Sequence, residues 1–564
     1  MAREGSVKRP PGPEPFPAAL RLYLLSGVFV TGAAVLALEL VGSRVISPFY
    51  GSSLYCWAAI ITVTMVALAA GYGLGGRAAD RDPTPDLFPR LVAAAAVAVA
   101  LIPLLRIPVL RHTAWMGVRL GALASSAVLL GPALACLGAV VPVVVRLLTR
   151  EVSSVGSRAG EVMAVSTLGS VLGAVASGFF LIPNLPVPRI LFGLAALLFL
   201  LCGVGLIIGR RRFPVKTAVA AVSAAVLGWW PGSHGMLFAR QSLYGEVKVL
   251  DSNGRLYLLV DGVTQSVARR LGEGFEADSP YVHTLELAAL LPHGGQVPGG
   301  AGSSPLAGGS LARGRPRPRA LFIGSGAGQL PDSFEIRYGI DSDVVEIDPV
   351  MLEAARLFGF PRRRQGSPDP GRVFVEDGRT FMERIGRDAR DAIGEGGRVR
   401  RYDIIVLDAF VGENPPYHLF TAESFQAARR LLEPDGVLAA NLVSLVGAGQ
   451  DDAWVTAYKT MRSVFKEVRV HLASPPHEGL ANVVFFCSDG PLDGALARAR
   501  ARARAEVRRG SEYALSHELT PPPEALRAAV ALNDDYAPVE SLLAKTALAW
   551  RKVVQDTAGE AALR

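Results

Sequence analysis

Long apolar windows recur through the first 230 residues of the chain, among them LYLLSGVFVTGAAVLALELV (22–41) and LFGLAALLFLLCGVGLIIG (191–209). Each approaches the ~20 residues an α-helix needs to cross a bilayer, and in lipid only a helix or a closed barrel satisfies its own backbone polar groups. Seven segments can be drawn, at about 22–42, 55–76, 88–105, 120–147, 160–183, 188–209 and 214–231, the last short and alanine-rich. The expectation is an all-α transmembrane bundle over 22–231 behind a cytoplasmic tail (1–21), inserted by its uncleaved first span. Small residues, as in TLGSVLGAVASG (167–178), would let its helices approach closely, because packing drives association in lipid.

Composition narrows the partners. The four cysteines lie in apolar runs and form no disulfide framework. The formal charge of +8 does not imply nucleic acid, since many arginines sit in short loops between apolar segments, where they orient spans. Placing the N-terminus inside leaves only Arg44, Arg106, Arg111, Arg119 and Arg189 of this half facing out. Seven full spans would then put the second half outside. Six spans and an interfacial 214–231 segment, anchored by Trp229 and Trp230, would keep it cytoplasmic.

After Trp230 the pattern changes to short β-branched runs broken by turn residues. LYGEVKVL (243–250), DSNG and LYLLVDG (256–262) predict a β-hairpin, so 232–285 is read as an N-terminal β subdomain. A helix end and a Gly/Ser/Pro-rich stretch follow over 286–319, with too few apolar side chains to order itself. From 320 to 550, ALFIG, DVVEI, RVFVE, YDIIVLD, GVLAANLV, EVRVHLA and NVVFFCS alternate with helical stretches, predicting a Rossmann-like, class I methyltransferase-like α/β domain before a tail at 551–564. The arginine-rich run at 497–509 reads as a solvated helix.

Gly324, Gly326 and Gly328 close the first of these strands as G-x-G-x-G, and Glu346 closes the next. Glycines let the backbone approach a ligand, and a carboxylate at the second strand end can accept both ribose hydroxyls, which implies an adenosine moiety. The spacing departs from the dinucleotide G-x-G-x-x-G and leans toward an S-adenosyl sulfonium. Asp377, followed by Gly378, sits where a group reads the adenine edge, or equally caps the next helix. Asp408 ends a buried apolar strand, where a desolvated carboxylate beside a sulfonium could take a proton from an attacking amine. No metal is expected.

With these segments in place the second half resembles the polyamine aminopropyltransferases, the spermidine synthase family, and the whole chain resembles their bacterial branch fused to a multi-pass membrane domain. The resemblance rests on LALELVGSRVISPFYGSS (36–53), GYGLGGRAADR (71–81), LVDGVTQS (259–266), SPYVHTLEL (279–287), IGSGAGQ, VEIDP, EDGRTF, LDAF, LF (419–420) and NDDYAPVE (533–540). It implies that Glu346 and Asp377 hold the ribose and adenine of decarboxylated S-adenosylmethionine, a co-substrate rather than a tightly bound cofactor. Asp408 would be the general base, and Gln265 and Tyr281 would line the substrate cleft. Putrescine would give spermidine and methylthioadenosine. The implied location is the inner membrane, with a homodimer left open.

Two positions depart from the family pattern. Ala327 stands where an acid grips the cofactor's amine, and Val411 where a second acid follows the catalytic one. Glu413, Asp534 and Asp535 are candidates to replace them. The Ala327 loop also favours an alternative in the same fold, an S-adenosylmethionine methyltransferase. A third reading, a polyamine transporter or sensor with a non-catalytic nucleoside domain, draws on Glu39 and Arg44 within or beside an apolar run.

Overall fold

The fold is described from a computed structural model. It covers residues 18–208 and 235–553, apart from 51–53, 150, 152–153, 273, 293–316, 362–371, 395–400, 411–414, 448–451, 498, 500–510, 540, 544, 548 and 551–552. Segment 214–231, most of the Gly/Ser/Pro-rich stretch and most of the arginine-rich run lie outside the described residues. The chain divides into two units at Pro231/Gly232.

The described elements of the first unit are helices: α1 (Ala18–Tyr50), α2 (Leu54–Arg81), α3 (Leu87–Thr113), α4 (Gly117–Leu129), α5 (Gly131–Leu148), α6 (Val155–Val175) and α7 (Val187–Ile208). A π-helical stretch, Ala176–Leu181, prolongs α6. Among the described residues six helices are long and apolar enough to cross a membrane. The expected single span over 120–147 is instead two helices, because Pro132 lacks an N–H and its ring clashes with the preceding turn. That leaves α4 only 13 residues long. Glycines carry the packing: a Cβ on Gly169 or Gly173 of α6 would strike the backbone of α1 at Phe29 or Ala33, and Gly75 of α2 meets Ala139 of α5. The small-residue stripe in TLGSVLGAVASG is thus a helix contact.

The second unit opens on more than the expected hairpin. Five strands, β1 (Met236–Gln241), β2 (Glu246–Ser252), β3 (Arg255–Val260), β4 (Val263–Leu271) and β5 (Gly274–Ala277), form one antiparallel meander in sequence order. The hairpin is its β2–β3 pair, turned at Asn253 and Gly254, both with positive φ (54° and 74°). β4 carries Gln265, and α8 (Pro280–Leu285) carries Tyr281.

All seven strands read from the sequence form the second sheet: β6 (Arg319–Ile323), β7 (Asp341–Glu346), β8 (Val373–Val375), β9 (Tyr402–Leu407), β10 (Leu432–Leu445), β11 (Glu467–Leu472) and β12 (Leu480–Ser488). Their order is β11-β12-β10-β9-β6-β7-β8, parallel except for β12. Both faces are covered, as the continuous apolar runs require. Leu321, Ile323, Ile405 and Leu407 enter one cluster, and Ala320, Phe322, Ile404 and Val406 the other. The strand order reverses between β6 and β9. In open α/β sheets the crevice at such a reversal, beyond the carboxyl ends of the strands, is where ligands bind.

Candidate active site

Strand register brings the singled-out residues to one edge. Ile323 of β6 lies level with Val345 of β7 and Leu407 of β9, so Gly324, Glu346 and Asp408 leave the sheet side by side. The Asp408 amide donates to the Ile323 carbonyl (3.0 Å) and the Gly324 amide to the Val345 carbonyl (2.9 Å). Gly324 has φ +90°, and a Cβ there would strike the Asp408 carbonyl. Gly328 has φ +75°, and its Cβ would run into the Phe360 ring. These two positions need glycine for both conformation and space.

Glu346 is buried. Its Oε2 accepts from the Ser325 amide and Oγ (both 3.0 Å), and its Oε1 from the Asp348 amide (3.0 Å). Burial raises its pKa above the usual carboxylate range, and these bonds oppose the rise without cancelling it. The carboxylate therefore ties the Gly loop to the second strand end, while Oε1 keeps room for another donor.

Asp377 takes the helix-cap role that was one of its two readings. Its Oδ1 caps the helix Gly378–Gly394, accepting from the Thr380 amide (2.9 Å) and hydroxyl (3.0 Å). Its Oδ2 meets Nε2 of His418 (2.9 Å), which, with the Thr380 bonds, holds the carboxyl down at about 2. The sequence reading missed His418, which stands directly before the Leu419–Phe420 pair.

Asp408 is half-buried, and burial pushes its carboxyl up to about 6. Asn441 of β10 opposes this shift, donating from Nδ2 to Asp408 Oδ1 (3.0 Å). Asn441 was also missed. Its one signal is an amide inside the apolar run GVLAANLV, where a buried polar side chain needs a partner.

These groups enclose a cavity of about 220 Å³. Four carboxylates line it, Glu346, Asp348, Asp377 and Asp408, and no lysine or arginine does among the described residues. Gln265 and Tyr281 also line it, and the Tyr281 hydroxyl donates to the Gln265 carbonyl (3.3 Å). Such a wall favours a cation and disfavours a pyrophosphate. Gly324, Gly326, Glu346, Asp377, Gly378, Asp408, Gln265 and Tyr281 thus converge on one space, whereas Gly328 does not line it and packs against Phe360.

Two of the candidate substitutes for the missing acids, Asp534 and Asp535, do not line the cavity. Asp534 is taken up by Arg379 Nη2 (3.0 Å) and the Thr421 hydroxyl (2.7 Å). Arg379 also donates to the His418 carbonyl (3.2 Å), so Asp534 buttresses the segment bearing His418. Asp535 is exposed. Val411 and Glu413 lie outside the described residues. Ala327 is buried in an apolar cluster with Val247 and Met351, a setting that would penalise an acid.

No family model matches the chain. An N-terminal histidine N-methyltransferase of Emericella nidulans is 35% identical over 175 residues, 30% of this chain and 28% of the relative. A polyamine aminopropyltransferase of Vibrio vulnificus is 34% identical over 154 residues, 27% of this chain and 45% of the relative. The chain therefore spans less than half the length of either. Polyamine aminopropyltransferase 1 of Streptomyces coelicolor is 25% identical over 461 residues, 76% of this chain and 78% of the relative. Among solved structures, a probable spermidine synthase from Corynebacterium glutamicum aligns at 18% identity and a TM-score of 0.37, covering 54% of this chain and 98% of that one.

Proposed function

From the premise that this chain is a relative of the polyamine aminopropyltransferases, we propose that its α/β unit moves the aminopropyl group of decarboxylated S-adenosylmethionine to a primary amine, putrescine being the acceptor the resemblance implies. The observation that carries this reading is the cavity wall of four carboxylates with no lysine or arginine among the described lining residues, and with Asp408 at about 6. A sulfonium and a protonated amine are both cations, and such a wall concentrates them.

In this mechanism Glu346 receives a ribose hydroxyl and Asp377, fixed by Thr380 and His418, faces the adenine. A free aliphatic amine has a pKa near ~10 and must lose a proton to attack. Asp408, mostly ionised near neutral pH and steadied by Asn441, takes it. The amine lone pair forms the new C–N bond at the carbon beside sulfur. The C–S bond breaks with its electrons passing to sulfur, releasing a neutral thioether, methylthioadenosine. The bound sulfonium favours the ionised form of Asp408 before the reaction. The six long apolar helices support a membrane-held enzyme.

A second reading has a specific observation behind it. The Emericella nidulans relative is named a methyltransferase, and Ala327 leaves the Gly loop without an acid for a free cofactor amine. Mass spectrometry of products from the full chain in detergent, given putrescine with decarboxylated or intact S-adenosylmethionine, separates the two. An aminopropyl adduct with methylthioadenosine supports the first reading, and a methylated product the second.

A further inference from the structure

The helix Gly378–Gly394 opens on a residue that its own backbone disfavours. Arg379 sits in the first turn, beside the amides left free there, and that end of a helix attracts anions rather than cations. Its side chain is only 14% exposed, so the charge needs partners within the protein. Those partners come from distant segments as well as from its own helix. Nε donates to Glu383 Oε1 (2.6 Å), one turn further on, and Nη2 to Asp534 Oδ2 (3.0 Å). Nη1 donates to the His418 carbonyl (3.2 Å), the Thr421 hydroxyl (3.1 Å) and Asp534 Oδ1 (3.3 Å). Asp534 is itself fixed. Its amide donates to Glu423 Oε2 (3.1 Å), its Oδ1 accepts from the Thr421 hydroxyl (2.7 Å), and the Ala422 amide donates to the Leu532 carbonyl (2.9 Å). The stretch 532–534 thus closes on segment 418–423.

These bonds form a closed ring with the cavity wall. Asp377 stands two residues before Arg379, Arg379 grips the His418 carbonyl, and the His418 ring returns to Asp377 through Nε2 (2.9 Å). Asp377 and His418 line the cavity, whereas Arg379 and Asp534 do not. We infer that Arg379 is a positioning residue for the nucleobase and that Asp534 is the far half of the same brace, so that a segment 155 residues away sets how firmly Asp377 is presented to a base. The inference rests on the reading of Asp377 as the group facing the adenine. An ionised carboxylate only accepts, so His418 Nε2 carries the proton of their bond, and the second lone pair of Asp377 Oδ2 is left for an amino group of the base. A carboxylate ordered before the ligand arrives does not lose that ordering entropy on binding. Arginine suits the task because its planar fork serves several acceptors at once, whereas an ammonium is a point charge that does not span Glu383, His418 and Asp534 together. A broken local rule, here a cation in the first turn of a helix, is expected where a site is being built.

Isothermal calorimetry on the full-length protein in detergent tests this near neutral pH with two nucleosides, methylthioadenosine and methylthioinosine, the second carrying a 6-oxo group in place of the 6-amino group. The unaltered protein is expected to bind the amino nucleoside about fivefold or more tighter, the scale of one net hydrogen bond. In Arg379→Lys, methylthioadenosine should weaken about fivefold while methylthioinosine stays within about twofold, so the preference collapses. Should that variant fail to fold, Asp534→Asn, at a half-exposed side chain, should lower the preference in the same direction by a smaller factor. A preference that survives undiminished in a folded variant overturns the inference alone. Equal weakening of both nucleosides does so too, since it marks a purely structural role. No preference in the unaltered protein, or no binding of either nucleoside, overturns the reading of Asp377 and the inference with it. Turnover is read separately. Aminopropyl and methyl transfer both start from an S-adenosyl group, so product identity decides between those reactions and leaves the brace standing.

Discussion

Asn441 donates its Nδ2 hydrogen to Oδ1 of Asp408 across 3.0 Å, a bond that opposes the burial lifting this carboxyl to about 6. A hydrogen bond to the ionised form favours that form. Removing it in Asn441→Ala raises the Asp408 pKa beyond about 6. If Asp408 must be ionised to work, the acid limb of kcat/KM sits near pH 6 in the unaltered enzyme and moves to higher pH in the variant. A pH–rate profile checks the direction. An unmoved limb takes Asp408 out of the proton path.

Asp408→Asn keeps the shape and removes the base. Transfer should fall ~10²-fold or more, the usual scale for losing a general base. Affinity for methylthioadenosine should stay nearly unchanged, because the proposed mechanism puts the nucleoside contacts on Glu346 and Asp377. A variant that retains more than about a tenth of the turnover would overturn the assignment.

Glu346→Gln tests the nucleoside end. The amide keeps one acceptor oxygen but loses the charge and presents donors to the Ser325 and Asp348 amides, which themselves donate. Affinity for methylthioadenosine should weaken roughly 10-fold or more, given about 1.5–3 kcal/mol for a hydrogen bond to a charged group. Calorimetry showing unchanged affinity removes Glu346 from the ribose.

In the helical unit, Gly173→Leu should abolish recovery of a monodisperse protein from detergent, since Gly173 packs on the α1 backbone at Ala33. Gly193→Leu in α7 is the matched control, with no atom within 4 Å of the added Cβ. Size-exclusion chromatography compares them. Equal profiles would mean that α1 and α6 do not depend on close approach.

The ends of the helices bear on topology. Arg21, near the start of α1, pairs with Glu161 near the start of α6 (2.6 Å), and Arg146 near the end of α5 with Asp80 near the end of α2 (3.3 Å). These basic residues are among those expected inside. Reporter fusions after Arg212 and after Ser233 should both report cytoplasm. Cytoplasm for the first and periplasm for the second would make 214–231 a full span.

Gly324, Glu346 and Asp408 were legible in the sequence because each ends a continuous apolar strand, and a parallel sheet buried on both faces fixes where such strand ends lie. The apolar helices were legible for a similar reason: length and hydropathy are local properties set by the bilayer. Leu130 marks the limit of that logic, since a hydropathy window does not register the N–H that Pro132 lacks. What only the tertiary structure decided are the partnerships across sequence distance. His418 reaches Asp377 over 41 residues, Asn441 reaches Asp408 over 33, and Asp534 reaches Arg379 over 155. No local pattern encodes these, because a hydrogen bond depends on two side chains arriving at one point, and strand order β10-β9-β6 with its register brings them there. The same packing drew Ala327 into an apolar cluster.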